Sequence, residues 1–146
     1  MMDDNTIQQT ITEFSTYIQE MNRTYEAYAK KYNLSYTTLQ LINLINEVED
    51  CTQKKICELT FLPKQTVNSI ITSLYKDELI DLIVNPTNRR SKTIIFTPKG
   101  QTFVQNALPK VREAEISAME SLTEEERFIM LKGMALFCHH LNKNML

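Results

Sequence analysis

Lys64, Gln65, Thr66, Asn68, Ser69 and Thr72 fall within one short segment that holds no acidic residue. Gln and Asn present a donor and an acceptor together, the pairing that adenine's major-groove edge accepts, and Ser and Thr serve either role. A helix face that is merely solvated prefers Glu and Lys, so this segment suits the reading of base edges. The plainer alternative is a polar solvated face on a core helix. A second cationic group follows at Arg89, Arg90 and Lys92. An arginine on a projecting hairpin is suited to the negative potential of a DNA minor groove, and Arg and Lys also neutralise phosphates. The plain alternative there is a surface hairpin made soluble by its charges.

Other chemistries are poorly supplied. The three cysteines, Cys51, Cys57 and Cys138, have neither paired zinc spacing nor a secretory context, so reduced thiols are expected. Cys51 lies in a polar joint where Lys54 and Lys55 favour the thiolate and Glu49 and Asp50 oppose it; Cys57 and Cys138 read as small buried hydrophobes. His139 and His140 are adjacent and do not share one side of a helix, and no second cluster of ligands accompanies them, so no metal is expected. No Gly-rich phosphate loop and no separated His with a nucleophile is present. Neither an enzyme nor a cofactor is expected. Tyr25, Tyr28, Tyr32 and Tyr36 either line an aromatic ligand pocket or form part of the core.

The elements that must position these residues are mostly helical. The chain has 146 residues, one domain's length, and its 2 Gly and 4 Pro are too few for many short strands and turns. Val67, Ile70, Ile71 and Leu74 at i, i+3, i+4, i+7 form a buried face opposite the polar set, and Pro63 suits the first helical position. A short helix over residues 53–60, anchored by Ile56 and Leu59, precedes it; the pair makes a helix-turn-helix. Ile80, Leu82 and Val84 then alternate as a strand, Asn85-Pro86-Thr87-Asn88 turns, and Thr93-Ile94-Ile95-Phe96 returns, leaving the basic residues on a flexible tip. Such a hairpin after a helix-turn-helix is a wing. Thr97-Pro98-Lys99-Gly100 opens a further helix that Pro109 bends.

At the ends the pattern is longer. Ile7, Ile11, Phe14, Ile18, Met21, Tyr25, Tyr28 and Tyr32 recur at alternating steps of four and three, the period of a helix lying along another helix. After a capping box at Thr123 and Glu126, the segment from Phe128 to Met145 is apolar on more than one face, which calls for cover from a second copy. Charge follows the same division. Residues 1–50 carry 3 basic and 8 acidic side chains, residues 51–112 carry 10 and 4, and residues 113–146 carry 3 and 6. Only the middle invites a polyanion. No apolar run reaches the roughly 18 residues that span a bilayer. The start, Met1-Met2-Asp3-Asp4-Asn5, has no signal-peptide pattern, so a cytoplasmic location without membrane attachment is expected.

In this order, Leu34-Ser35 with its helix, Thr66-Val67, Leu74 through Ile80, Asn85-Pro86-Thr87-Asn88-Arg89-Arg90, Phe96-Thr97-Pro98-Lys99-Gly100 and Leu122-Thr123-Glu124-Glu125-Glu126 resemble the MarR family of winged-helix transcriptional regulators. The resemblance implies a mainly α, winged helix-turn-helix fold. Residues 33–99 would form the DNA-binding region, with dimerisation helices in 1–32 and 100–146 of a single domain. It further implies a homodimer that reads a pseudo-palindromic double-stranded site, commonly as a repressor released by a small molecule or by thiol oxidation. By position, Arg90 matches the wing arginine that enters the minor groove, and Gln65, Thr66, Asn68 and Ser69 match the forward end of the recognition helix. The chain departs from the family at Asn88, where Asp is common and would brace Arg90, and at Phe61 and Glu78, where many relatives have Gly. It has no cysteine early in the first helix, where family thiol sensors often place one. The rival expectation is a winged helix that binds protein and tolerates loss of its basic wing.

Overall fold

The stripe that begins at Ile7 lies on α1, Asp4–Lys30, a helix free of Gly and Pro. The computed structural model describes residues 4–146; the first residues of the acidic start, Met1-Met2-Asp3, lie outside them. Helix α1 stops one residue pair before Tyr32. Asn33 takes φ 56°, and the Asn33 and Leu34 amides donate to the carbonyls of Lys30 (3.1 Å) and Ala29 (3.2 Å). This is the Schellman closure, in which a left-handed residue turns the chain off the helix axis.

Ser35 caps α2 (Tyr36–Glu47) by accepting the Thr38 amide, and Thr52 caps α3 (Gln53–Thr60) by accepting that of Lys55. Pro63 is the N-cap rather than the first residue of α4 (Lys64–Lys76). Strands β1 (Ile80–Asn85) and β2 (Asn88–Phe96) form an antiparallel hairpin, followed by α5 (Pro98–Glu120), which contains Pro109, and α6 (Glu124–Met145). The capping box of α6 is present, with the Glu126 carboxylate accepting the Thr123 amide at 2.7 Å. These bonds hold the Glu126 carboxyl below its ordinary pKa.

The chain divides into two compact units, one ending at Gln105 and one spanning Asn106–Leu146. In the first, Leu39, Leu41, Ile42, Ile45, Ile56, Val67, Ile71, Leu74, Ile80 and Ile94 form the core. Burial of each such side chain favours folding by about 1.5–3 kcal/mol. Leu59 is 56% exposed and does not anchor α3. A helix turns about 100° per residue. With Ile56 centred on the core, Leu59 falls to one side of a helix only two turns long. The second unit is different. No residue of α6 is buried, and Phe128, Ile129, Leu131, Leu136, Phe137 and Leu141 all stand exposed.

Candidate nucleic-acid interface

Three buried residues orient α4. Val67, Ile71 and Leu74 are at most 5% exposed, so the helix is fixed in rotation and Lys64, Gln65, Thr66, Asn68, Ser69 and Thr72 are all exposed together. Ile70, expected on the buried face, is half-buried at its margin. Pro63 provides no side-chain acceptor for the first turn, and neither that turn nor the rest of the exposed set carries an acid. The amides at this end and Lys64 therefore favour an anion nearby. The Gln53 side-chain amide donates to the Lys64 carbonyl at 3.5 Å, bringing the starts of α3 and α4 together.

The hairpin differs from the sequence-based expectation in one useful way. Strand β2 begins at Asn88, five residues earlier than expected, so Arg89, Arg90 and Lys92 belong to the strand and not to a flexible tip. Val84 pairs with Lys92 and Asn85 pairs with Asn88, which leaves Arg89, Arg90 and Ser91 bulged between two paired positions. A bulge bends its strand and re-aims side chains. The remaining turn is Pro86-Thr87. Asn85 Oδ1 accepts the Thr87 amide (3.0 Å) and hydroxyl (2.8 Å), and Asn88 Oδ1 accepts the Arg90 amide (3.2 Å). Asn88 thus braces the backbone of Arg90 through its amide oxygen, as Asn and Asp side chains do two residues on in such turns. Arg89, Arg90 and Lys92 are exposed, and the guanidiniums of Arg89 and Arg90 have no acceptor among the described residues.

The two basic elements are joined through the root of the hairpin. The Ile94 amide donates to the Cys51 carbonyl at 2.8 Å, and Thr52 bridges to Thr93, so β2 is tied to the start of α3. At the other end Thr97 donates its hydroxyl to the Glu78 carbonyl (2.6 Å) and its amide to Leu79 (3.1 Å), while accepting the Gly100 amide (3.0 Å). Lys99 Nζ adds a 2.7 Å bond to the Asp77 carbonyl. A Cβ on Gly100 would lie 1.9 Å from the Leu79 carbonyl oxygen, so only glycine admits this approach. The end of α4, the hairpin and the start of α5 are therefore one tied assembly. Sequence patterning did not reveal the roles of Gly100 or Asn85; the only hints were a lone Gly after Pro98 and a turn-forming Asn.

Several side chains lie elsewhere than expected. Cys51 is not in a polar joint but 2% exposed beneath the hairpin root, and burial raises its thiol pKa against the opposing effect of Lys55. Cys57 is half-buried, and Cys138 is exposed on α6 and not a buried hydrophobe. The tyrosines pack on one another. Tyr25 stacks on Tyr36 at 4.7 Å, Tyr32 meets Phe103 edge-on at 5.7 Å, and the Tyr28 and Tyr32 hydroxyls are 3.3 Å apart. Burial, with help from Tyr32, pushes the Tyr28 phenol up to about 12. His139 and His140 lie edge to face at 5.2 Å, and no group of three metal-ligating side chains occurs among the described residues. No helix among them is long and apolar enough to cross a membrane.

A helix-turn-helix whose second helix turns amides and hydroxyls outward, tied to a hairpin with unpaired arginines, defines a winged helix of the DNA-binding type. Residues 32–91 match the MarR family model. Over these residues the chain is similar to the MarR family of transcriptional regulators. It is 27% identical to the uncharacterized HTH-type transcriptional regulator YsmB of Bacillus subtilis over 97 residues, 66% of each chain. Its fold matches MepR of Staphylococcus aureus, solved as a DNA complex, with TM-score 0.74, 22% identity and coverage of 89% of this chain and 96% of that one. It also matches MarR of Staphylococcus aureus, solved in complex with salicylate and kanamycin, with TM-score 0.75, 18% identity and coverage of 96% and 95%.

Proposed function

We propose that this chain is a cytoplasmic repressor that binds a pseudo-palindromic DNA site as a homodimer. The observation that carries the reading is the exposed, acid-free face of α4 in the same compact unit as a hairpin whose arginine guanidiniums have no acceptor among the described residues. In this reading Gln65, Thr66, Asn68 and Ser69 meet base edges in the major groove, and Thr72 supports them. Lys64, Arg89 and Lys92 contact phosphates, and Arg90 enters the adjoining minor groove. Residues 33–99 serve as the DNA-binding region and the helices within 1–32 and 100–146 as the dimerisation region. The uncovered apolar face of α6 supports the second copy, because an exposed surface of that size is unusual in a free monomer. A small-molecule effector that releases the DNA belongs to the same proposal, supported by the salicylate and kanamycin complex of the Staphylococcus aureus MarR.

Selection of bound duplexes from a random DNA pool tests the proposal. The expected result is a palindromic consensus occupied by two chains. Failure to enrich any sequence, with binding retained by a protein partner, would favour a winged-helix interaction module instead.

A further inference from the structure

Among the described residues four other than glycine hold a positive φ, and three of them, Asn33, Asp50 and Glu78, are polar. The fourth is Phe61, at φ 56° and ψ 15°, where its amide closes α3 on the Cys57 carbonyl at 3.1 Å. Its ring is 92% exposed, more than any other aromatic side chain among the described residues. Glycine would suit this backbone better and water would solvate a polar side chain better. Neither folding nor solubility therefore accounts for a phenylalanine here.

The turn that displays the ring is pinned on both sides. Thr60 donates its hydroxyl to the Ile56 carbonyl (2.7 Å) and accepts the Leu62 amide (3.3 Å), and Pro63 fixes the next step into α4. Phe61 thus stands three residues before Lys64 and four before Gln65, at the end of α4 that carries the reading residues. Those residues offer amides, hydroxyls and a cation, and apart from the methylene stems of Lys64 and Gln65 their apolar surface is the threonine methyls. Thymine is recognised in the major groove largely through its C5-methyl group, which an apolar side chain contacts.

We propose that Phe61 reads a thymine methyl at the edge of the DNA site, as an apolar specificity residue beside the polar face of α4. The inference rests on the DNA-binding reading above. It is tested with full-length protein on the selected duplex, by replacing each thymine in turn with deoxyuridine, which removes only the methyl. In the wild type one thymine per half-site should be sensitive, with affinity falling about fourfold for the loss of one buried methyl. Phe61→Gly, whose backbone fits the turn, should lose sensitivity at that thymine alone. Asn68→Ala should bind more weakly and keep it. An unchanged uracil profile in Phe61→Gly, or uniform weakening without loss of that sensitivity, would overturn the proposal while leaving the DNA reading intact. If the wild type enriched no sequence at all, the DNA reading and this inference would fall together.

Discussion

Helices α4 and α6 put their apolar side chains to opposite ends. In α4 the apolar residues Val67, Ile71 and Leu74 are buried within their own unit, and this burial makes the polar side chains a fixed outward display. In α6 every apolar residue remains accessible, from Phe128 through Met145. A helix with one satisfied face presents its other face for binding; a helix with no satisfied face needs cover before it is stable in water. The contrast teaches that function is assigned by which face folding leaves over, and not by how apolar a helix is.

The largest expected effect would break that contrast at α6. Leu131→Glu together with Phe137→Glu should convert the proposed dimer into a monomer, because a charge placed in the dry interface that dimer implies costs several kcal/mol and raises the dissociation constant more than a hundredfold. Sedimentation equilibrium measures it. A wild-type protein already monomeric and well folded at micromolar concentration would remove the reason for the dimer.

The two glycines sharpen the same comparison. Gly100→Ala must displace the Leu79 carbonyl and should cost about 1–3 kcal/mol in thermal or urea unfolding. Gly133 lies on α6, and a Cβ there meets nothing within 4 Å in the chain itself. If that side of α6 stays open in the proposed dimer, Gly133→Ala should stabilise by up to about 1 kcal/mol through helix propensity. A loss would mean that the partner covers it closely.

On the α4 side, Gln65→Ala or Asn68→Ala should cost about 1–3 kcal/mol at the cognate base and relax preference there. Lys64→Ala and Lys92→Ala should weaken all sequences alike, each lowering the salt-dependence slope by about 1. Arg90→Ala should matter most where A·T pairs flank the site, and Arg89→Ala should show little flank dependence. Equal flank dependence in the wild type and both variants would take the minor-groove role from Arg90.

The smallest effect concerns Glu78, which closes α4 in the left-handed conformation. Its amide donates to the Tyr75 carbonyl at 3.0 Å and that of Leu79 to the Leu74 carbonyl at 3.0 Å. Glu78→Gly relieves the steric cost of a Cβ in this region but frees the unfolded chain as well, so a net gain of about 0.5–1 kcal/mol is expected from chemical denaturation. A destabilised Glu78→Gly would show that the carboxylate makes a contribution of its own.

Local chemistry was legible from the sequence alone. Ser35 and the Thr123–Glu126 box cap helices because their bonds span only three residues, and such spacing is visible in the chain. The buried set Val67, Ile71 and Leu74 follows from the helical period, and with it the exposed set from Lys64 to Thr72. Phe61 and Glu78 could be noticed as departures from glycine, but only the backbone shows that both positions demand positive φ. The basic residues of β2 have no strand pattern of their own; pairing with β1 across the hairpin draws them into the strand and leaves Arg89 to Ser91 bulged. Cys51, set among charged neighbours in sequence, is buried because the chain there passes beneath Ile94. Gly100 is required because the Leu79 carbonyl, 21 positions earlier, approaches its α-carbon. Caps and periodicity are bonds between near neighbours and are written in residue order. Burial, bulges and close approach are relations between distant segments, and only the folded chain brings those segments together.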